Sequence, residues 1–470
     1  MKAKIKKNKK PAKVVIKKPI KKEKMKKNEE QKTASDKNKK TWTALRGMHD
    51  ILPKEEKYWK SMYNVSSKLA EYMQFARIET PILEEASLFI RSIGKTTDVV
   101  EKEMYVFDDS DGGKICLRPE ATASVVRAYV SDGLWNNPQP VKVWYWGPMF
   151  RHDRPQAGRY RQFTQVGFEN IGVLDPAADA ELIMIAFNFY KDLKLPVEIH
   201  INSIGTPEER ERYKNELLNY YRTKKSYLCE ECRKRMQKNP LRLLDCKEEQ
   251  CQGVKEEAPQ IVDWLSENSK NYFMKVLEYL DELGVPYILR PSLVRGLDYY
   301  THTVFEVYPI SGEGAAQSAL GGGGRYDLLV EELGGKSTPA AGMALGIDRS
   351  VIYMKEFYQQ NQLRVEKEPY DIFFAQLGDR AKGRAMKILD DLRESNIKIA
   401  FNLYKNSLKT QLDIANELKV PYSLILGQKE VQEGTIIIRD MESGIQEIVD
   451  QKKIETALKK KLKKFDDTNK

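Results

Sequence analysis

The segment from Phe150 to Phe163 sets Arg151, Arg154, Arg159 and Arg161 among aromatic residues, in two strand-like stretches joined by a Pro/Gly loop at residues 155–158. Guanidinium groups are planar, hold their charge at any physiological pH and offer paired donors, which suits them to phosphate. Taken alone, the cluster reads equally as a surface hairpin with solvated charge. Three further segments put charge into apolar or aromatic surroundings: Leu117-Arg118-Pro119-Glu120, Leu293 to Tyr300 around Arg295, and Gly342 to Arg349. Other nucleotide signatures fail. Gly334-Gly335-Lys336-Ser337 ends like a P-loop, but Val330 stands where its first glycine belongs, and the Gly321–Gly324 run lacks the G-x-G-x-x-G spacing. With four histidines, no H-E-x-x-H pair and no G-x-S-x-G elbow, hydrolase chemistry has little support.

A second group of reactive side chains is Cys229, Cys232, Cys246 and Cys251, a C-x₂-C and a C-x₄-C separated by thirteen residues. That spacing suits a tetrahedral thiolate site for Zn²⁺. The stretch is rich in Glu, Lys and Arg and short of apolar residues, so a metal would supply stability that a core cannot. Such a closed site would be structural. Unrelated surface thiols in a helical segment are the plainer alternative.

The elements that must carry these groups follow from periodicity. Residues 54–73 have apolar positions at helical spacing and lead into a strand-like stretch, 75–80, halted by Pro81. Further strands are expected at 103–107, 115–118, 141–150, 161–170, 197–203 and 303–308. Their density, with few long helices between them, predicts an antiparallel-rich α+β domain over residues 44–357. Residues about 205–288 are charged and helix-rich and read as an insertion. After a charged stretch, apolar runs at 372–374, 397–401 and 422–426 alternate with helical segments, which predicts a small α/β domain at 369–465 with a partly parallel sheet.

The 470 residues carry a net charge of +11, but residues 1–40 alone hold eighteen lysines and four acids. The basic character is a low-complexity tail, residues 1–43, too polar to fold and able to add salt-sensitive attraction to RNA. No run approaches the roughly 18–20 apolar residues that span a bilayer, which predicts a cytoplasmic protein without membrane contact.

Taken together, these segments resemble the class II aminoacyl-tRNA synthetases. F-R-x-x-R-P before G-R-Y-R-Q-F is similar to motif 2, G-I-D-R to the helix of motif 3, and the helix and strand ending at Pro81 to motif 1, which in that class builds a dimer interface. L-V-R-G-L-D-Y-Y and G-G-R-Y-D (Gly323 to Asp327) resemble the segments that mark the histidine-specific family within the class. The resemblance implies a ligase that uses ATP and Mg²⁺ to activate L-histidine and transfer it to tRNA(His), working as a homodimer, with residues 369–465 as the anticodon-binding domain. Arg151 and Arg295 would meet the α-phosphate, Arg349 the γ-phosphate and Phe163 the adenine. Glu120, Thr122 and Gln165 would hold the α-amino group, while Glu169 and Tyr300 would reach the imidazole with Tyr299 beside them. Arg154 and Gln156 would face the tRNA acceptor end. A pocket that hydrogen-bonds both ring nitrogens rejects apolar competitors, so no editing domain is expected. Ala121 departs from the glycine common in the family between Glu120 and Thr122. The competing reading is a non-catalytic regulatory subunit on the same fold; such proteins usually lack the C-terminal domain and lose motif residues.

Overall fold

The computed structural model describes residues 42–94, 97–154, 158–310, 319–365 and 370–468. Gln156 and nearly all of the lysine-rich tail lie outside them. The chain forms two compact units, Met1–Leu363 and Arg364–Lys470.

The first unit is α+β. Its strands are β1 (Ala76–Arg77), β2 (Leu83–Glu85), β3 (Tyr105–Asp108), β4 (Lys114–Leu117), β5 (Val141–Phe150), β6 (Gln162–Ile171), β7 (Val197–Ser203), β8 (Tyr287–Leu289), β9 (Thr301–Pro309), β10 (Gly321–Arg325) and β11 (Ala340–Gly346). Eight of them make one sheet in the order β1-β5-β6-β11-β10-β9-β7-β8, and β2-β4-β3 form a small separate sheet. The large sheet is antiparallel throughout its interior, and only the edge pairs β1/β5 and β7/β8 are parallel.

The strand expected at 75–80 is shorter than its composition suggested. Only Ala76 and Arg77 register against β5. Beyond them the chain is held by the buried Arg118, which donates to the Thr80 carbonyl at 2.8 Å, the Thr80 hydroxyl at 2.9 Å and the Pro148 carbonyl at 3.0 Å. Arg118, which follows β4 of the small sheet, is thus a strut to β5 of the large one.

Residues 321–324, dismissed as a phosphate loop, are the central strand β10. Glycine is required there by close approach: a Cβ on Gly322 would lie 2.9 Å from Arg295 Nη1 and nearer still to the Phe305 carbonyl. Arg325, at the end of β10, is fully buried and neutralised by Asp179 at 2.7 Å and Asp327 at 2.9 Å.

The segment read as a helical insertion contains helices Pro207–Thr223, Glu230–Lys238, Glu249–Glu256 and Glu267–Glu282. The first is fixed by a capping box in which Thr206 and Glu209 exchange hydrogen bonds with each other's backbone N–H groups. The segment then returns to the main sheet, because β8 pairs with β7. Helix Ile347–Gln360 continues past the domain end expected at 357.

The second unit is a five-stranded mixed sheet, β13 (Ile399–Phe401), β12 (Ile372–Gln376), β14 (Tyr422–Leu426), β15 (Thr435–Asp440) and β16 (Gln446–Asp450), in that order. The first three are parallel and the last two antiparallel. Its fully buried strands β12 and β14 are the apolar runs visible in the sequence. β15 and β16, which the sequence reading missed, have more polar and exposed faces. Among the described residues no helix is long and apolar enough to cross a membrane.

Candidate active site

One face of the large sheet is built from small residues at its centre and polar residues around them. Side chains alternate along a strand, so Phe163, Gln165 and Glu169 share the same face of β6. Opposite them β11 presents Gly346 to Gln165, Ala344 to Gly167 and Gly342 to Glu169. The missing side chains leave a cavity of about 420 Å³, floored by Gly321, Gly322, Ala344 and Gly346.

Three arginines converge on it. Arg151, just past β5, donates from Nε to the Pro119 carbonyl at 2.8 Å and sits over the Phe163 ring, 5.6 Å from its centroid. Arg349, near the start of its helix, donates to the carbonyls of Gly158 at 3.0 Å and Ala319 at 2.7 Å. Burial, and then the positive charges of Arg159 and Arg151, lower its pKa. A bound polyanion would relieve that repulsion. Arg295 donates to Glu306 at 2.5 Å and lies over the Tyr300 ring at 5.2 Å, while its Nε is buried without a partner among the described residues. Glu306 thus balances the charge of Arg295 within its apolar and aromatic segment.

The same cavity is lined by Glu120, Thr122, Gln165, Tyr299 and Tyr300. Glu120 accepts the backbone N–H groups of Thr122 at 2.7 Å and Ala123 at 2.9 Å, and burial raises its pKa in spite of them. Gln165 Oε1 is buried with no donor among the described residues, which leaves an acceptor ready for an amine. Ala121 is buried at the start of the helix Thr122–Ser131 without displacing Thr122 from the cavity wall.

Glu169 is not in the cavity wall. It is fully buried behind it, accepting from the Thr122 hydroxyl at 2.8 Å and the Tyr326 hydroxyl at 2.5 Å. Burial pushes its pKa up to about 8, against the pull of those two donors. Tyr326 was absent from the site inferred from the sequence, although G-G-R-Y-D contains it. Its ring lies edge-on to Tyr299, with centroids 5.7 Å apart, so it joins the cavity wall to the buried carboxylate. Of the two residues assigned to the tRNA end, Arg154 is exposed and stands apart from the cavity lining.

Glu103 is a cavity carboxylate whose pKa is raised, first by burial. Asp153 and Asp98 add their negative fields to it. Asp98 and Asp153 are already paired with Arg242 and Arg159, at 2.6 and 3.1 Å, whereas Glu103 is a carboxylate able to take a cation.

The cysteine sulfurs of Cys229, Cys232, Cys246 and Cys251 all lie within 4.8 Å of one another. Tetrahedral Zn–S bonds of about 2.3 Å imply sulfur separations near 3.8 Å, and Cys229 and Cys246 are already at 3.9 Å. Backbone N–H groups point at the sulfurs, Cys229 N to Cys251 Sγ at 3.2 Å and Cys232 N to Cys229 Sγ at 3.4 Å. This knuckle is not remote from the cavity, because Arg242, between its two cysteine pairs, lines the cavity and meets Asp98 at 2.6 Å.

The family model described as histidyl-tRNA synthetase matches residues 47–349, and one described as an anticodon binding domain matches 371–461. The chain is 43% identical over 420 residues to the histidine–tRNA ligase of Natranaerobius thermophilus, covering 88% of this chain and 98% of that protein. It is 44% identical over 408 residues to that of Pelotomaculum thermopropionicum, covering 87% and 95%. The crystal structure of apo histidyl-tRNA synthetase from S. aureus superposes with a TM-score of 0.71 at 34% identity, covering 89% of this chain and all of that one.

Proposed function

The chain belongs to the histidyl-tRNA synthetase family, and on that premise we propose how its cavity carries out ATP-dependent ligation of L-histidine to tRNA(His). The observation that carries the assignment is that one cavity brings three arginines together with an amine-accepting, tyrosine-lined set of side chains.

In the first step the histidine carboxylate, already ionised, attacks the α-phosphorus of ATP and pyrophosphate leaves. No general base is needed. The protein has to align the reactants and neutralise charge building on the phosphoryl oxygens. Arg151 and Arg295 do so at the α-phosphate, Arg349 holds the γ-phosphate end, and Phe163 stacks on the adenine. Mg²⁺ would sit on the acidic side near Glu103 and supply further charge neutralisation. Glu120, Thr122 and Gln165 bind the α-amino group. Glu169 acts on the imidazole from behind, through Thr122 and Tyr326 and with Tyr299 and Tyr300 around the ring. In the second step the terminal ribose hydroxyl of the tRNA attacks the adenylate carbonyl and AMP leaves; Arg154 and Gln156 are proposed to steer that end.

Four further proposals complete the reading. Residues 369–465 read the anticodon. The knuckle cysteines hold a structural Zn²⁺. A homodimer forms across the motif 1 surface, where Tyr72 is 82% exposed. The protein works in the cytoplasm, where its RNA substrate is charged. A regulatory subunit without catalysis is the weaker reading, because Arg151, Arg295, Arg349 and Glu120 are all retained and the second unit is present.

Replacing Arg295 with Ala should reduce ATP–pyrophosphate exchange by about 100- to 1,000-fold, the range for loss of one donor to a charge-developing transition state. The far-ultraviolet circular dichroism should not change. Exchange within a few-fold of wild type would refute the role.

A further inference from the structure

Arg295 lies in an irregular segment, outside helix and strand, where the Tyr300 ring lies under its guanidinium. Its hydrogen-bonding partner comes from β9. Glu306 and Tyr308 are two residues apart on that strand and therefore share a face. One oxygen of Glu306 accepts from Arg295 Nη1 at 2.5 Å, and the other accepts from the Tyr308 hydroxyl at 2.5 Å. Each carboxylate oxygen is thus engaged, and rotation would break both bonds. Tyr308 is itself held, because its ring packs against His200 of β7 with centroids 4.5 Å apart, and His200 Nε2 lies 3.2 Å from Glu198. Gly322, with no Cβ, leaves the room Arg295 occupies.

We propose that Glu306 and Tyr308 are positioning residues for adenylation, which aim the Arg295 guanidinium at the α-phosphate and keep the Glu306 charge from turning toward the triphosphate. The proposal rests on the assignment of Arg295 to that phosphate. A carboxylate in a phosphate site repels the substrate unless a cation pairs with it. Tyr308 matters because, without its hydroxyl, the outer oxygen of Glu306 loses its donor and the carboxylate is tethered by Arg295 alone. Burial, and then the neighbouring Glu306 charge, raise the Tyr308 pKa, so the phenol keeps its proton and remains a donor at neutral pH. Precise aim is what this chemistry needs, since displacement of a positioned group by about 1 Å can cost about 100-fold.

The test uses the full chain in ATP–pyrophosphate exchange. Tyr308→Phe keeps the ring on His200 and removes only the hydroxyl. It should lower kcat about tenfold, the loss of one hydrogen bond to a charged group, with the KM for histidine unchanged. Glu306→Gln should lower kcat at least as much, and Glu306→Asp should not restore it, because the shorter side chain cannot reach both partners. The decisive comparison is with Arg295→Ala: adding Tyr308→Phe to it should cost nothing more, because the residue being aimed is gone. Wild-type kcat in Tyr308→Phe, or the same tenfold loss on top of Arg295→Ala, overturns the proposal. So does a Glu306→Gln enzyme that needs more Mg²⁺ for half-maximal rate, which would make Glu306 a metal ligand. If Arg295→Ala itself retains normal exchange, the phosphate assignment fails first and takes the positioning role with it.

Discussion

Replacing Glu169 with Gln should stabilise the protein at alkaline pH while weakening its grip on histidine. The carboxyl is fully buried, its pKa is raised by burial to about 8, and the ordinary glutamate value is 4.5. Between those values the folded state binds a proton that the unfolded state has released. Stability therefore falls as pH rises through that window, and the fall stops above about 8. A shift of this size corresponds to at most about 4–5 kcal/mol, and relaxation of the site should reduce it to about 2–3 kcal/mol. Gln fills the same space. Its carbonyl can accept from one of the two hydroxyls now serving Glu169, and its amide can donate to the other. The variant should thus match wild type near pH 5 and exceed it by the full amount near pH 8.5, in urea unfolding followed by circular dichroism at a series of pH values. Its KM for histidine should rise about tenfold, since Gln alters the orientation of the Thr122 and Tyr326 hydroxyls through which position 169 reaches the imidazole. Parallel stability curves for the two proteins across pH 5–8.5 would contradict the reasoning, because they would mean that the buried carboxyl does not change protonation on folding.

Two other outcomes are expected. Truncation after Leu363, the end of the first compact unit, should leave pyrophosphate exchange measurable and reduce tRNA charging by at least 100-fold; equal charging would remove the anticodon role from the second unit. Protein purified without chelator should contain about one Zn²⁺ per chain by atomic emission, and a Cys229→Ser, Cys232→Ser double variant should lose the metal and melt several degrees lower. Metal-free wild-type protein would leave the four thiols without that ligand.

The sequence reveals some of this site and hides the rest for physical reasons. Arginines in aromatic surroundings are conspicuous because charge there is costly, and Arg151, Arg295 and Arg349 do converge on one cavity. The same logic is blind to what a charge is for: Arg118 and Arg325 are equally conspicuous, and the structure uses them as buried struts. Glu169 reads locally as a solvated strand residue, because its burial depends on the distant Gly342, whose Cβ would overlap its carboxylate. A glycine run carries no apolar periodicity, so β10 could be recognised as a strand only once β9 and β11 were known to flank it. Tyr326 was visible only as part of a family segment, since its role depends on a hydroxyl reaching 157 positions back along the chain. The cysteine spacing was legible, but the contact of Arg242 with Asp98 is tertiary and left no local trace.

The central claim is that this cavity activates histidine and no other amino acid. ATP–pyrophosphate exchange with each of the twenty standard amino acids in turn tests it most directly. Exchange with histidine alone, lost on replacing Arg295 with Ala, is the predicted result. Exchange with a different amino acid, or with none under conditions where the protein is folded, would contradict the account.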